Sequence, residues 1–322
     1  MTMKCFELNE LKDDSINIDL EGESDDILIL SASFEERGLT LAKKLDDKYR
    51  CENCIIYYNE DNQNYYDNLV FLESTMRDKT VNRINIYKGS HRDAKIKNTA
   101  MNEIADFCRK HKGVDSTNVA IDITGFTKID LIVLLDFLVA YIDNMKIKLI
   151  YVSPKEHGDW LSKGFSGICN IPGFCGNYDI LKKTALIILS GFEKDRPKNL
   201  IEEYEPQEVY LGLSNPAVQD KFGQINRDLQ EELLSCSNVK TFDFSAKEMS
   251  ECYEVVRALV EKLKDEFNIV IAPLCTKLSA VACFKVAKEY PNIQLIYCYP
   301  QEYNYDSYSL GSRKVFVEYV CF

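Results

Sequence analysis

Short apolar runs of strand length recur along the first half of the chain: 27–33 (ILILSAS), 54–59 (CIIYYN), 83–87 (RINIY), 118–124 (NVAIDIT) and 146–153 (KIKLIYVS). They are rich in Ile, Val and Tyr, which suit a pleated, half-buried surface. Between them, 36–48, 64–76, 93–111 and 128–143 place apolar residues three and four apart, the spacing of one helical face. Strands alternating with helices predict a parallel sheet covered on both faces.

The second half gives the same series in the same order. Strands are expected at 185–191 (ALIILSG), 208–214 (EVYLGLS), 239–245 (VKTFDFS), 268–274 (NIVIAPL) and 293–300 (IQLIYCYP), with helices over 215–235, 246–267 and 278–290. Individual landmarks also correspond: LSASFEER (30–37) with LSGFEKDR (189–196), GFTK (125–128) with LCTK (274–277), and LIYVSP (149–154) with LIYCYP (295–300). The pattern therefore predicts an α/β chain of two tandem Rossmann-like modules, each a doubly wound parallel sheet, related by internal duplication. The modules are expected at 1–156 and 183–322, joined by the Gly-rich stretch 157–182, which carries the single Trp and serves as a linker or a lid. At 322 residues the length suits two domains.

In an open parallel sheet, ligands bind beyond the carboxyl ends of the strands, where helices present unpaired amides and the positive ends of their dipoles. Each landmark is such a strand end. The turn IDITGFTK (121–128) supplies what an anion needs: Gly125 for close backbone approach or a positive φ, the hydroxyls of Thr124 and Thr127, and the ammonium of Lys128 in the first helical turn. A cation there opposes the helix dipole, and Thr276 and Lys277 repeat the pair in the second half. The turn after the first strand offers Ser31 and Ser33 to phosphate or ribose, Phe34 as a base platform, and Glu35 with Arg37; Ser190, Phe192, Glu193 and Arg196 match them. Helix capping by Thr127 or Ser33, core packing of the Phe residues and a surface Glu35–Arg37 pair are the structural alternatives.

The GxxxxGK[ST] and GxGxxG patterns are missing, which removes the main support for ATP hydrolysis and ordinary dinucleotide binding. A net charge of −12 argues against a genomic nucleic-acid surface, so an anionic ligand must meet a local basic spot. No apolar stretch reaches the roughly 18 residues of a membrane span, and MTMKCFELNELKDD lacks a signal core. The expectation is a soluble, cytoplasmic protein without a membrane partner. Twelve cysteines are too dilute for a disulfide scaffold, and Cys283, Cys298 and Cys321 lie in apolar segments. Cys51 and Cys54 have metal-type spacing without a second pair, so neither a metal nor a cofactor is expected. Of the three histidines, His91, His111 and His157, the second closes a helix and the third lies in the turn after the fifth strand beside Glu156 and Asp159, with no nucleophile near it in sequence.

At IDITGFTK the chain resembles the CARF family, the Rossmann-like sensor domains of CRISPR-associated proteins, in which a D-x-T-G-G-T-K-type motif follows the fourth core strand. SASFEER (31–37) occupies the place of that family's other ligand-binding turn. Two such modules in one chain further resemble the SAVED domains of CBASS antiviral systems. Phe126 stands where the family's second Gly is expected, and Pro273 and Leu274 stand in place of Thr and Gly in the second half. The resemblance implies a cyclic oligonucleotide or related nucleotide held between two pseudo-symmetric halves. Lys128 and Lys277 would neutralise phosphate, Ser31, Ser33, Thr124 and Thr127 would bond phosphate or ribose, and Gly125, Phe126, Ser153 and Ser190 would line the site. A separately encoded effector would read the signal, and oligomers are compatible with it. The alternatives are a metal-independent ring nuclease, with Lys128 and Thr127 aligning a ribose hydroxyl for in-line attack, and a non-catalytic scaffold.

Overall fold

The computed structural model describes residues 3–8, 15–18, 24–61, 65–90, 92–111 and 116–320. His91, Cys321 and the expected start of a helix at residue 64 lie outside the described residues. In chain order the first elements are β1 (Lys4–Glu7), β2 (Asp25–Ala32), α1 (Thr40–Lys44), β3 (Cys51–Asn59), α2 (Tyr65–Met76), β4 (Thr80–Gly89), α3 (Ala94–Lys110), β5 (Thr117–Asp122), α4 (Lys128–Tyr141) and β6 (Met145–His157). There follow β7 (Ser162–Lys163), β8 (Gly167–Asn170), β9 (Lys183–Leu189), α5 (Asp195–Tyr204), β10 (Glu208–Ser214), α6 (Asp220–Leu229), α7 (Glu231–Leu234) and β11 (Val239–Phe244). The last are α8 (Met249–Leu263), β12 (Phe267–Pro273), α9 (Lys277–Glu289), β13 (Gln294–Tyr299), β14 (Glu302–Tyr303) and β15 (Ser309–Val320).

Two compact units result: Met1–Gly158 together with Tyr305–Phe322, and Asp159–Asn304. The first holds a sheet in the order β1-β15-β6-β5-β2-β3-β4, and the second a sheet in the order β11-β10-β9-β12-β13-β8. Within each, the five strands anticipated from the sequence run parallel. Numbered along the chain, both sets lie in the order 3-2-1-4-5, and an antiparallel strand, β15 or β8, flanks the fifth. The doubly wound α/β class and its repetition are therefore present. The inner strands are apolar almost throughout because helices cover both faces; Ile27 to Leu30 and Leu186 to Leu189 are fully buried. Among the described residues, no helix is long and apolar enough to cross a membrane.

Three expectations change. The second module does not run to the C-terminus: β15 returns to the first sheet, pairing with β6 over Val315↔Val152 to Val320↔Ile147 and burying Val315, Phe316, Val317 and Val320. The stretch 157–182 is not a free linker, because β8 adds to the second sheet beside β13 and β7 pairs with β14. The helix over 36–48 is short, since Leu45 leaves it to bridge Ile16 in parallel, with Ile16 N donating to the Lys44 carbonyl at 2.5 Å.

Candidate functional site

In a 3-2-1-4-5 sheet the chain winds in opposite senses from strands 1 and 4, so their carboxyl ends part and leave a crevice. In the first unit this switch point lies between the turns after β2 and β5, the two turns singled out from the sequence. They touch: a Cβ on Gly125 would stand 2.5 Å from the Ser31 carbonyl oxygen, and one on Gly38 would stand 3.7 Å from the Gly125 Cα. Gly125 is absent from the positive-φ residues, so the close approach to Ser31 is what requires glycine there. In the second unit the contact is kept with the glycine moved across it: a Cβ on Gly191 would stand 2.9 Å from the Leu274 carbonyl oxygen.

Thr127 caps α4, its hydroxyl accepting from Asp130 N at 3.2 Å, and Thr276 caps α9 in the same way from Ser279 N at 3.2 Å. Lys128 and Lys277 then open the two helices, the first half-buried and the second buried. Phe34, Gly125, Thr127 and Lys128 all keep part of their surface exposed at the edge of the first sheet.

Several residues expected to face a ligand are instead used by the fold. Glu35 and Arg37 form a buried ion pair at 2.6 Å, and Arg37 Nη1 donates to the Val152 carbonyl at 2.6 Å. Glu193 and Arg196 repeat it: they form a buried pair, and Arg196 Nη1 donates to the Cys298 carbonyl at 2.9 Å. Val152 and Cys298 occupy the same place in LIYVSP and LIYCYP. Burial, the largest influence, lowers both guanidinium pKa values, but the paired carboxylate together with neighbouring phenols, Tyr151 at Arg37 and Tyr297 and Tyr303 at Arg196, raises them overall. Each carboxylate also accepts from a serine, Ser309 on Glu35 at 2.8 Å and Ser162 on Glu193.

Thr124 is fully buried and its hydroxyl accepts from Val152 N at 2.9 Å, tying the turn after β5 to β6. Ser153 is likewise buried and holds β15, accepting from Lys314 N at 3.2 Å. Phe126 is 2% exposed and stacks on Tyr57, ring centroids 5.4 Å apart and planes at 6°. Burial first, then the neighbouring Asp130 carboxylate, push the Tyr57 phenol up. The Phe126 side chain thus fills core space. Ser33 accepts from Glu35 N at 3.2 Å, and Ser190 donates to the Gly212 carbonyl at 2.6 Å. Phe192 packs edge-on against Phe222, centroids 5.1 Å apart. Cys51 and Cys54 are buried in β3, and His157 Nδ1 lies 3.2 Å from the Tyr308 carbonyl.

Sequence reasoning missed two sets of residues. Asn68 of α2 donates to the Ser33 carbonyl at 2.6 Å, and Asn226 of α6 donates to the Gly191 carbonyl at 2.7 Å. Both carbonyls immediately precede the turn's Phe. Around Phe34 itself stand Tyr305 and Tyr308, both edge-on to its ring, with centroids at 4.9 and 5.6 Å. All three aromatics are half-buried, and the Arg92 guanidinium acts on the Tyr305 phenol, opposing burial, which raises it. The Tyr-rich run EYNYDSYS (302–309) was the available signal.

No protein-family model matches the chain, and no curated protein matches it. Among solved structures, the cytoplasmic domain of a prokaryotic cation chloride cotransporter is similar at 8% identity over 88% of this chain and 99% of that chain, with a TM-score of 0.27. Likeness at that level transfers neither architecture nor activity.

Proposed function

We propose that the protein binds a cyclic oligonucleotide or a related nucleotide at the switch point of its first unit and acts as a sensor in a prokaryotic, cytoplasmic antiviral pathway. The observation that carries this reading is the adjacency of two turns with complementary chemistry. One presents an aromatic group, Phe34 with Tyr305 and Tyr308, and the other the capped start of α4 with Thr127 and Lys128. Aromatic rings suit the faces of bases, and a helix start with a lysine suits phosphate. The CARF-like motif IDITGFTK supports the same assignment.

In the second unit, Leu274 stands where Gly125 stands in the first, and Lys277 is buried. The tighter half-site is therefore assigned to the first unit. The serines hydrogen-bonded to Glu35 and Glu193 belong to buried ion pairs that hold the fold, so the sensor reading is preferred to cleavage.

The test is a thermal-shift and turnover assay of the whole chain against cyclic di-, tri- and tetranucleotides. A ligand bound only by the folded state raises the melting temperature. Stabilisation by one of them, lost in Lys128→Ala, is the expected result; no shift with any nucleotide refutes the proposal, and linear products would reassign the protein as a nuclease.

A further inference from the structure

We infer that the loop over 176–182 and the cleft beside it form a self-complementary surface through which two copies of the chain associate. The loop lies in the second unit, at the edge of the sheet opposite its switch point, and is tied down from both sides. Gly176 has φ +63°, and a Cβ there would meet the Asn292 carbonyl oxygen at 2.5 Å; Asn177 Nδ2 donates to Asn292 Oδ1 at 3.0 Å. The buried Asn268 holds the other side, accepting from Asp179 N at 2.8 Å and donating to the carbonyls of Asp179 at 2.8 Å and Lys182 at 3.1 Å. Leu181 N closes the turn on Asp179 Oδ1 at 2.9 Å.

These ties present Tyr178, Ile180 and Leu181 at 65%, 86% and 91% exposure. Single apolar residues on a surface need no explanation, but three within four positions on a fastened loop form a patch. The same loop borders a cleft of about 500 Å³, through Asn177 to Asp179 and Lys182. The buried residues Val260, Phe267, Ile269 and Ile293 also border it.

Knob and hollow on one face are what a two-fold axis requires, since each loop then enters the other copy's cleft in the same contact. The charges agree. Lys182 and Lys264 line the cleft with Asp179, Asp265 and Glu289, so its border carries both signs and matches a second copy of itself better than a polyanion or a polycation.

Sedimentation of the full chain, without nucleotide, from about 1 to about 100 µM tests this. The wild type is expected to dimerise. Ile180→Asp with Leu181→Asp, both at exposed positions, should weaken the dimer at least about tenfold with an unchanged circular-dichroism spectrum. Asp265→Trp, which leaves the loop intact and fills the cleft from an exposed position, should do the same. A wild type that stays monomeric overturns the inference, as does a dimer that survives either variant.

Discussion

Gly125 lies so close to Ser31 that a Cβ would stand 2.5 Å from its carbonyl oxygen, with the obstruction in backbone and not in a movable side chain. Gly125→Ala must therefore push the turn after β5 away from the turn after β2. Overpacking of this kind costs about 1–3 kcal/mol. A Cβ on Gly38 meets nothing nearer than 3.7 Å. Urea denaturation should show Gly125→Ala clearly destabilised and Gly38→Ala much less so; equal effects would contradict the geometry.

The Glu35–Arg37 and Glu193–Arg196 pairs are the strongest sign that the two units derive from one plan, because each arginine also donates to the same carbonyl of the fifth strand. Removing one partner leaves a buried charge without compensation, at a cost of about 3–5 kcal/mol. Glu193→Ala should lose stability on that scale, whereas Glu193→Leu combined with Arg196→Met should recover much of it. Denaturant midpoints for the single and double variants measure the difference.

The ten parallel strands were legible because each is an apolar run of strand length, and so was the pairing of turns that share a Phe-Glu and an Arg. Burial was not. Glu35 and Arg37 read as surface or ligand-facing charges, since a sequence does not disclose that a guanidinium will reach the Val152 carbonyl, 115 positions away. The C-terminal strand was missed for a related reason. VFVEYV (315–320) has strand composition, but no local signal says that it crosses back to pair with β6 and carries Tyr305 and Tyr308 to Phe34.

Burial first, with Asp25 adding and a hydrogen bond from Thr80 opposing, pushes the Cys51 thiol up to about 12 from its ordinary 9. Burial, opposed by Arg196, does the same for Cys298. Between those values the unfolded chain releases protons that the folded chain keeps, so stability falls as pH rises, by about 1.4 kcal/mol per pH unit per thiol. Below pH about 8 these groups are protonated in both states and the dependence vanishes. Denaturation at pH 8 and pH 10 should show the loss. At pH 8 a thiol reagent should label the exposed Cys5, Cys175 and Cys236 in the native protein, and Cys51 and Cys298 only after unfolding; rapid native labelling of Cys298 would contradict the assignment.

Tyr305 and Tyr308 give the aromatic group at Phe34 a role separable from the fold. Neither is fully buried, so Tyr305→Ala and Tyr308→Ala should leave the melting temperature of the free protein nearly unchanged. If a base stacks in this group, each substitution removes about 1–3 kcal/mol of stacking, roughly a 5- to 150-fold loss of affinity. Lys128→Ala should weaken the same ligand and leave its binding less dependent on salt, because it removes a charge contact while the tyrosines do not. Titrations at two ionic strengths distinguish the contributions. A nucleotide that binds, depends on Lys128 and ignores both tyrosines would retain the phosphate site and remove the base from this aromatic group.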